Sequence, residues 1–354
     1  MNIVKATEKY EAWLASHIRL IEQDLEHKHE QMRSAAFPFL RATYYRWAQV
    51  WAEVCGAAAR ATRVLAVGDL HVENFGTWRD IEGRLIWGIN DFDEVWYLPY
   101  TNDLVRLATS AFLGGLACDQ QAATRAILDG YHEALEAGGR PFVLAEHHEV
   151  LRVMAVHRLH EPGKFWEKLH SLPQLHGPVP AGATKAMARM MPDRGLEFRV
   201  AHRVAGLGSL GRERYVALAD WKGGSVAREA KALAPSACVW AERGKGSASI
   251  LYEEILSAAK RVRDPFVRLQ KRWIVRRLAP DCSRIELSAL PKERDELRLL
   301  YAMGFETANV HLGSAKAAIL LKDLSKRPSG WLFQCARKME KAVLADQSEY
   351  ASGA

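Results

Sequence analysis

Acidic, amide and imidazole side chains crowd one short region: Asp69, His71, Glu73 and Asn74 in "VLAVGDLHVENFGTWRD", residues 64–80, then Asp91, Asp93 and Glu94 in "LIWGINDFDEVW", residues 85–96. Each group follows an apolar run, so the polar side chains sit at the ends of segments that favour burial. Carboxylates in such places are costly unless something compensates them, and a divalent cation carrying a phosphate would do so. Phosphoryl transfer asks a protein mainly to position groups and manage charge. It needs a carboxylate beside the attacking hydroxyl and hard oxygen ligands for Mg²⁺. Asp69 and Asn74 place a base and a metal-ligand amide on one loop, and Asp91 at the end of the next run supplies a metal carboxylate. The competing reading has Asp69 and Asn74 capping turns and Asp93 as a solvated hairpin acid. It accounts for any one residue but not for the set.

The chain has 354 residues, enough for two lobes and an ample core. Hydrophobic residues make up 49% and charged residues 26%, the balance of an ordinary globular protein. A net charge of +7 suits an anionic ligand such as a nucleotide without arguing for nucleic acid. The N-terminal stretch "MNIVKATEKYEAWLASHIRL" is charged throughout and has no signal-like apolar core. No apolar run reaches the length of a membrane span. Cys55, Cys118, Cys238, Cys282 and Cys335 are scattered with no Cys-x-x-Cys pair, which reads most simply as reduced thiols in a cytoplasm.

The elements that must position these residues follow from periodicity. Residues 5–60 read as helices. "RVLAVGDL" and "RLIWGINDFD" then read as short strands with "DIEG" as a turn between them, a hairpin carrying the acidic cluster. From Asn102 to about Met190 the pattern is helical, with Asp103 as a cap or first-turn residue. The segment 172–195, rich in Pro, Gly and small residues, reads as a linker or loop. Residues 196–233 switch to strands interrupted by "GLGSLG" and "DWKGG". Helices are expected from about 247 to 272, then "RWIVRRLA" as a strand, then helices from "ERDELRLLYAMGFETANVHLG" onward.

"GDLHVENFG" followed by "INDFDE" resembles the Gly-Asp-x-His-x-x-Asn and Asp-Phe-Asp motifs of aminoglycoside phosphotransferase-like and choline-kinase-like proteins, members of the protein-kinase-like superfamily. The chain is similar over most of its length to an uncharacterised bacterial family, domain-of-unknown-function family 2252. That likeness also includes "FPFLRATYYRW", "NDLVRLATS", "RVAGLGSLGRERYV" and "YAMGFETANVHLGS". The resemblance implies an α+β, two-lobed kinase-like fold, with ATP and Mg²⁺ as cofactors and a small-molecule or protein hydroxyl as acceptor. It would make Asp69 the catalytic base, Asn74 and Asp91 the metal ligands, and Asp103 a structural acid that steadies the catalytic loop. It implies a site and not a substrate.

In "GLGSLG", Gly206, Gly208 and Gly211, with Ser209, allow close backbone approach to phosphates. A dinucleotide site would need a helix directly afterwards, whereas "RERYVALAD" reads as a strand. Strand, Gly-rich loop, strand is the kinase arrangement; a plain hairpin turn is the alternative. On the next strand, "SVAREAK", the resemblance puts Arg228 where a phosphate-binding Lys is usual. Lys231, three residues on, is expected on the opposite face. Arg is not equivalent to Lys, which keeps open a nucleotide-binding pseudokinase or regulatory module, and a nucleotidyl (AMP) transferase. Glu254 in the following helix is the first choice for a partner acid, with Glu253 the alternative.

The order is inverted relative to ordinary kinases, since the Gly-rich loop follows the catalytic loop. The sequence therefore reads as a circular permutation. Residues 1–190 form a helical lobe with the catalytic and metal loops, 196–290 a small β-rich nucleotide lobe, and 291–354 helices returning to the first. If so, "GLGSLG" must face Asp69 and Asp91 across a cleft, and the helix ending near Gly313 must pack beside residues 60–68. Other signals read as structural. His157, His160, His170 and His176 match no zinc spacing. "RDPFVRLQKRWIVRR", residues 263–277, reads as a helix with a solvated basic face rather than a nucleic-acid surface. His311 reads as a hydrogen-bonded core histidine.

Overall fold

In the computed structural model, which describes residues 1–157, 159–242, 249–282 and 293–353, the N-terminal apolar period folds as four helices. They are Ile3–Ala15, Glu22–Ser34, Ala36–Ala42 and Tyr44–Cys55. Their aromatic residues converge, with Tyr10 stacked on Tyr45 at 4.3 Å and Trp47 and Trp51 buried. The chain then forms β1 (Arg63–Ala66), β2 (Phe75–Arg79), β3 (Leu85–Ile89), β4 (Trp96–Pro99) and, later, β5 (Phe142–Val143). The pairing expected between the "VLAV" and "LIWGI" runs does not form. β1 pairs with β4, and β3 pairs with β2 on one side and β5 on the other, all antiparallel. Residues 80–83 do make a turn, held by the Asp80 carboxylate accepting from the Glu82 and Arg84 amides, but it joins β2 to β3. The β1–β4 and β2–β3 pairings bring the loops 67–74 and 90–95 side by side, and the Asn90 amide donates to the Asn74 carbonyl at 2.8 Å.

The second half is built on a five-stranded antiparallel sheet, in the order β6 (Arg199–His202), β7 (Arg214–Trp221), β8 (Gly224–Ala232), β10 (Trp273–Leu278), β9 (Arg268–Gln270). The fold is thus mixed α+β. Two expectations change here. The small-residue segment 172–195 is not a free linker: it contains the helix Ala181–Ala188, whose Ala183, Ala186 and Met187 are buried. Residues 263–277 are not a helix; they supply the β9–β10 hairpin, where Trp273, Ile274 and Val275 favour a pleated, buried surface. The helix expected from 247 shortens to Tyr252–Ala258, and residues 247 and 248 lie outside the described residues.

The long helix Glu293–His311 crosses the helix Gln120–Glu136 at backbone contact. A β-carbon on Gly304 would stand 2.0 Å from the Ile127 carbonyl oxygen, and one on Gly130 would stand 1.9 Å from that of Tyr301. Gly304→Ala is therefore expected to cost about 1–3 kcal/mol by overpacking. A thermal melt checks this, and an unchanged Tm would contradict it. The helices Ala317–Leu324 and Trp331–Gly353 complete the chain, the last packing on Thr101–Leu113 and on the N-terminal helices. One hydrophobic core runs through the helical part and the inner face of the five-stranded sheet. Among the described residues, no helix is long and apolar enough to cross a membrane.

Candidate functional site

The helix Thr101–Leu113 is buried along almost its whole length, so its polar residues need partners. They find them in the loop after β1. Asp103 accepts from the backbone amides of Val67 at 2.7 Å and Gly68 at 3.0 Å, and His311 donates to it through Nε2 at 3.1 Å. His311 is in turn bonded through Nδ1 to the Tyr131 hydroxyl, as expected of a core histidine. One helical turn beyond Asp103, Arg106 donates to Asp69 Oδ1 from Nε at 2.8 Å and from Nη2. Asp69 Oδ2 points the other way, toward the Gly-rich loop.

Burial raises the Asp69 carboxyl from 3.8 to about 7; Arg106 pulls it down, while Glu94 and Asp91 add to the rise. Asn74 turns its side-chain oxygen onto the His71 amide at 2.6 Å, which fixes the short turn Val72–Asn74. That capping role is compatible with ligation, because an amide oxygen has a second lone pair.

Asp91 and Asp93 close the other wall. Lys231 Nζ lies 2.5 Å from Asp93 Oδ2 and 3.6 Å from Asp91 Oδ1. Arg212 donates to Glu94 Oε1 at 2.9 Å and stands 3.9 Å from Asp93 Oδ2. Burial and the neighbouring Asp91 hold the Asp93 carboxyl up at about 6, against Lys231 and Arg212. Asp91 is itself held low: burial works against this, but Lys231, a hydrogen bond with the Asp93 side chain and the charges of Arg276 and Arg214 outweigh it. Among the described residues, Asp93 Oδ1 is buried with no hydrogen-bond partner, as is Arg212 Nη1. Buried polar atoms of this kind ask for an explanation.

The Gly-rich loop between β6 and β7 covers this cluster. A β-carbon on Gly208 would lie 2.8 Å from the Arg41 carbonyl oxygen and 3.4 Å from Asp69 Oδ2, so only glycine lets the loop come this close. Gly206 and Gly211 turn the chain at φ of 74° and 88°. Ser209 accepts from Arg214 Nη2 at 2.6 Å, and the Gly211 carbonyl accepts from the Ile21 amide at 2.8 Å. The two motifs enclose a cavity of about 40 Å³ lined by Asp69, Asn74, Asp91, Asp93 and the loop. That is room for a few waters. The glycine loop and the acids thus face each other across this cavity. Just past the helix Glu293–His311, Ser314 Oγ accepts from the Leu65 amide of β1 at 2.8 Å, so the end of that helix lies beside β1.

Two predicted residues lie elsewhere. Arg228 is on the opposite face of β8 from Lys231, as strand alternation demands, but that face turns away from the acids. Its Nε donates to the Met190 carbonyl at 2.6 Å and its guanidinium stacks on Phe266. Glu254 is exposed and accepts from the Tyr97 hydroxyl; Glu253 pairs with Arg263. Neither acid meets Lys231. The β7–β8 hairpin contained the signal for Lys231. A two-residue turn at Lys222–Gly223 pairs Trp221 with Gly224 and so puts Lys231 opposite Arg214, next to the Gly-rich loop, and Arg228 opposite Ala217. Arg106 and Arg212 were also missed; a lone Arg within "NDLVRLATS", a buried apolar run, was the visible sign of a partner.

The donor set suits a hard cation. Among the described residues no three acidic, histidine or cysteine side chains form a ready-made cage. However, Asp91 is 32% exposed, Asp93 has a free buried oxygen and Asn74 has a spare lone pair. Mg²⁺ commonly takes only one or two carboxylates and completes its shell with water and phosphate, so these residues fit it.

Residues 19–162 match a family described as "Uncharacterized protein conserved in bacteria (DUF2252)". The matched stretch, less than half of the chain, contains Asp69, Asn74, Asp91, Asp103 and Arg106 and ends before the Gly-rich loop. Comparison with curated proteins and with solved structures gave no match.

Proposed function

We propose that this protein is a Mg²⁺- and ATP-dependent phosphotransferase of the protein-kinase-like type, circularly permuted, acting on a hydroxyl of a small molecule or protein. One observation carries the reading. Two motifs far apart in sequence meet: the Gly206–Gly211 loop lies over Asp69, while Lys231 of the same sheet reaches Asp91 and Asp93. A base, oxygen ligands for a metal, and backbone and ammonium donors for phosphate are what phosphoryl transfer asks of a protein.

In this reading Asp69 Oδ2 orients the acceptor hydroxyl and takes its proton. Asn74, Asp91 and Asp93 would hold Mg²⁺, which would supply positive charge to offset that of the phosphates. Lys231 now neutralises the acid pair and would turn to the phosphates once a metal does so instead. A cavity of about 40 Å³ does not admit a nucleotide. In this reading the Gly-rich loop lifts from Asp69 to admit the phosphates and closes over them, the kind of gating motion common to such enzymes.

Lys231 on the acid pair supplies the cation that Arg228 does not, which favours phosphoryl transfer over a pseudokinase or an AMP transferase. A thermal-shift screen tests the reading: ATP should raise Tm only with Mg²⁺ present. Label from the γ-phosphate should then reach an acceptor. Label from the α-phosphate would indicate nucleotidyl transfer, and binding without transfer would indicate a regulatory module. Asp69 must be ionised to act as base. With its carboxyl at about 7 in the free protein, kcat/KM should rise with pH up to about 7 and level off above it. A pH–rate profile that is flat through neutrality would contradict that assignment.

A further inference from the structure

Arg106 has no part in the reaction just described, yet it is tightly held beside Asp69. It is fully buried. Its guanidinium lies 5.0 Å from the Tyr44 ring and 4.8 Å from the Trp47 ring, and Nη2 also donates to the Leu40 carbonyl at 2.9 Å. A side chain held by two aromatic faces and a backbone oxygen has nowhere to swing.

We infer that Arg106 is the positioning residue for Asp69: by taking Oδ1 with two guanidinium nitrogens, it leaves Oδ2 as the one oxygen free to meet the acceptor hydroxyl. This rests on the reading of Asp69 as the base. The same helix face makes the grip a unit. Asn102 Nδ2 donates to the Gly68 carbonyl at 3.3 Å, Asp103 takes the amides of Val67 and Gly68, and Arg106 takes the carboxylate of Asp69. Three residues of one helix thereby fix the loop's backbone and its reactive side chain together. The free oxygen faces Gly208, where the Gly-rich loop would present a transferable phosphate.

The placement also has an electrostatic consequence. Asp69 is surrounded by Glu94 and Asp91 from the loop after β3, Arg41 and His71 at the cavity wall, Lys28 from the helix Glu22–Ser34, and Arg106. Burial, Glu94 and Asp91 all favour the protonated form, and Arg106 is the bonded partner that opposes them. An arginine that merely filled space in the core would stabilise the fold without tuning the base.

The test uses the full chain carrying carboxyl-¹³C aspartate, with the Asp69 resonance assigned by its loss in Asp69→Asn. In Arg106→Gln the Asp69 titration midpoint should move up by at least about one unit, a tenfold change in its proton affinity. In Arg106→Lys, which keeps a charge but not the fork, the move should be smaller. In activity assays the Gln variant should lose kcat, with its acid limb moved up by the same amount, while KM for ATP stays within about twofold. An unchanged Asp69 midpoint in a folded Gln variant overturns the proposal. If the Gln variant does not fold, the Lys variant decides by the same comparison. If the wild type transfers no phosphoryl group at all, the functional reading fails, and the titration still decides whether Arg106 positions Asp69.

Discussion

Asp69→Asn should bind nucleotide as the wild type does and turn over about 10²–10⁴-fold more slowly, the usual contribution of a positioned general base. The substitution keeps the shape of the side chain and leaves an amide oxygen for Arg106 to hold. It removes only the ability of the second oxygen to accept a proton. Among the described residues that wall holds no replacement: His71 is engaged by the turn it caps, and Glu73 is paired with Arg41. Binding and single-turnover measurements separate the two effects. A loss of affinity equal to the loss of rate would place Asp69 among the groups that hold the nucleotide and not at the chemistry.

Lys231→Met and Arg228→Met should part company, although the residues are neighbours on one strand. Lys231 is the cation of β8 that reaches the acid pair, and Arg228 faces Phe266 and the Met190 carbonyl on the far side. Charge-assisted hydrogen bonds contribute about 1.5–3 kcal/mol, so Lys231→Met should weaken MgATP by roughly tenfold to a hundredfold while weakening adenosine far less. It also leaves Asp91 and Asp93 without their ammonium, so Mg²⁺ alone should raise the Tm of this variant more than that of the wild type. Arg228→Met should lower Tm, because the half-buried Met190 carbonyl loses its donor, with ATP affinity within about twofold of wild type. Calorimetric titration of both variants decides it. The reverse ranking would return Arg228 to the phosphates.

The residues of the proposed site could be read in the sequence because their spacing is local. Asp69 and Asn74 share a loop, Asp91 ends an apolar run, and three glycines sit between two strands. None of this depends on knowing the tertiary fold. The strand pairing was less visible. "FGTWR" is short and carries a glycine, so β2 did not stand out, and the turn at 80–83 was assigned to the wrong pair of strands. For Lys231 and Arg228, alternation along the strand was right, but one strand alone cannot say which face meets the site. The two-residue turn at 222–223 contained that information through the hairpin register. Glu254 failed for a simpler reason: its helix is seven residues long and presents it to solvent. Arg106 lay inside an apolar period that reads as core, where the polar exception was the informative residue.

The central claim is that the acids and the Gly-rich loop share one nucleotide. A crystal structure with Mg²⁺ and a non-hydrolysable ATP analogue tests it most directly. The account predicts the terminal phosphates between Gly206–Gly211 and Asp91, the metal on Asp91 and Asn74, and Lys231 Nζ moved from Asp93 to a phosphate oxygen. An analogue bound away from this cleft, or Lys231 still paired with Asp93 beside a bound triphosphate, would contradict it.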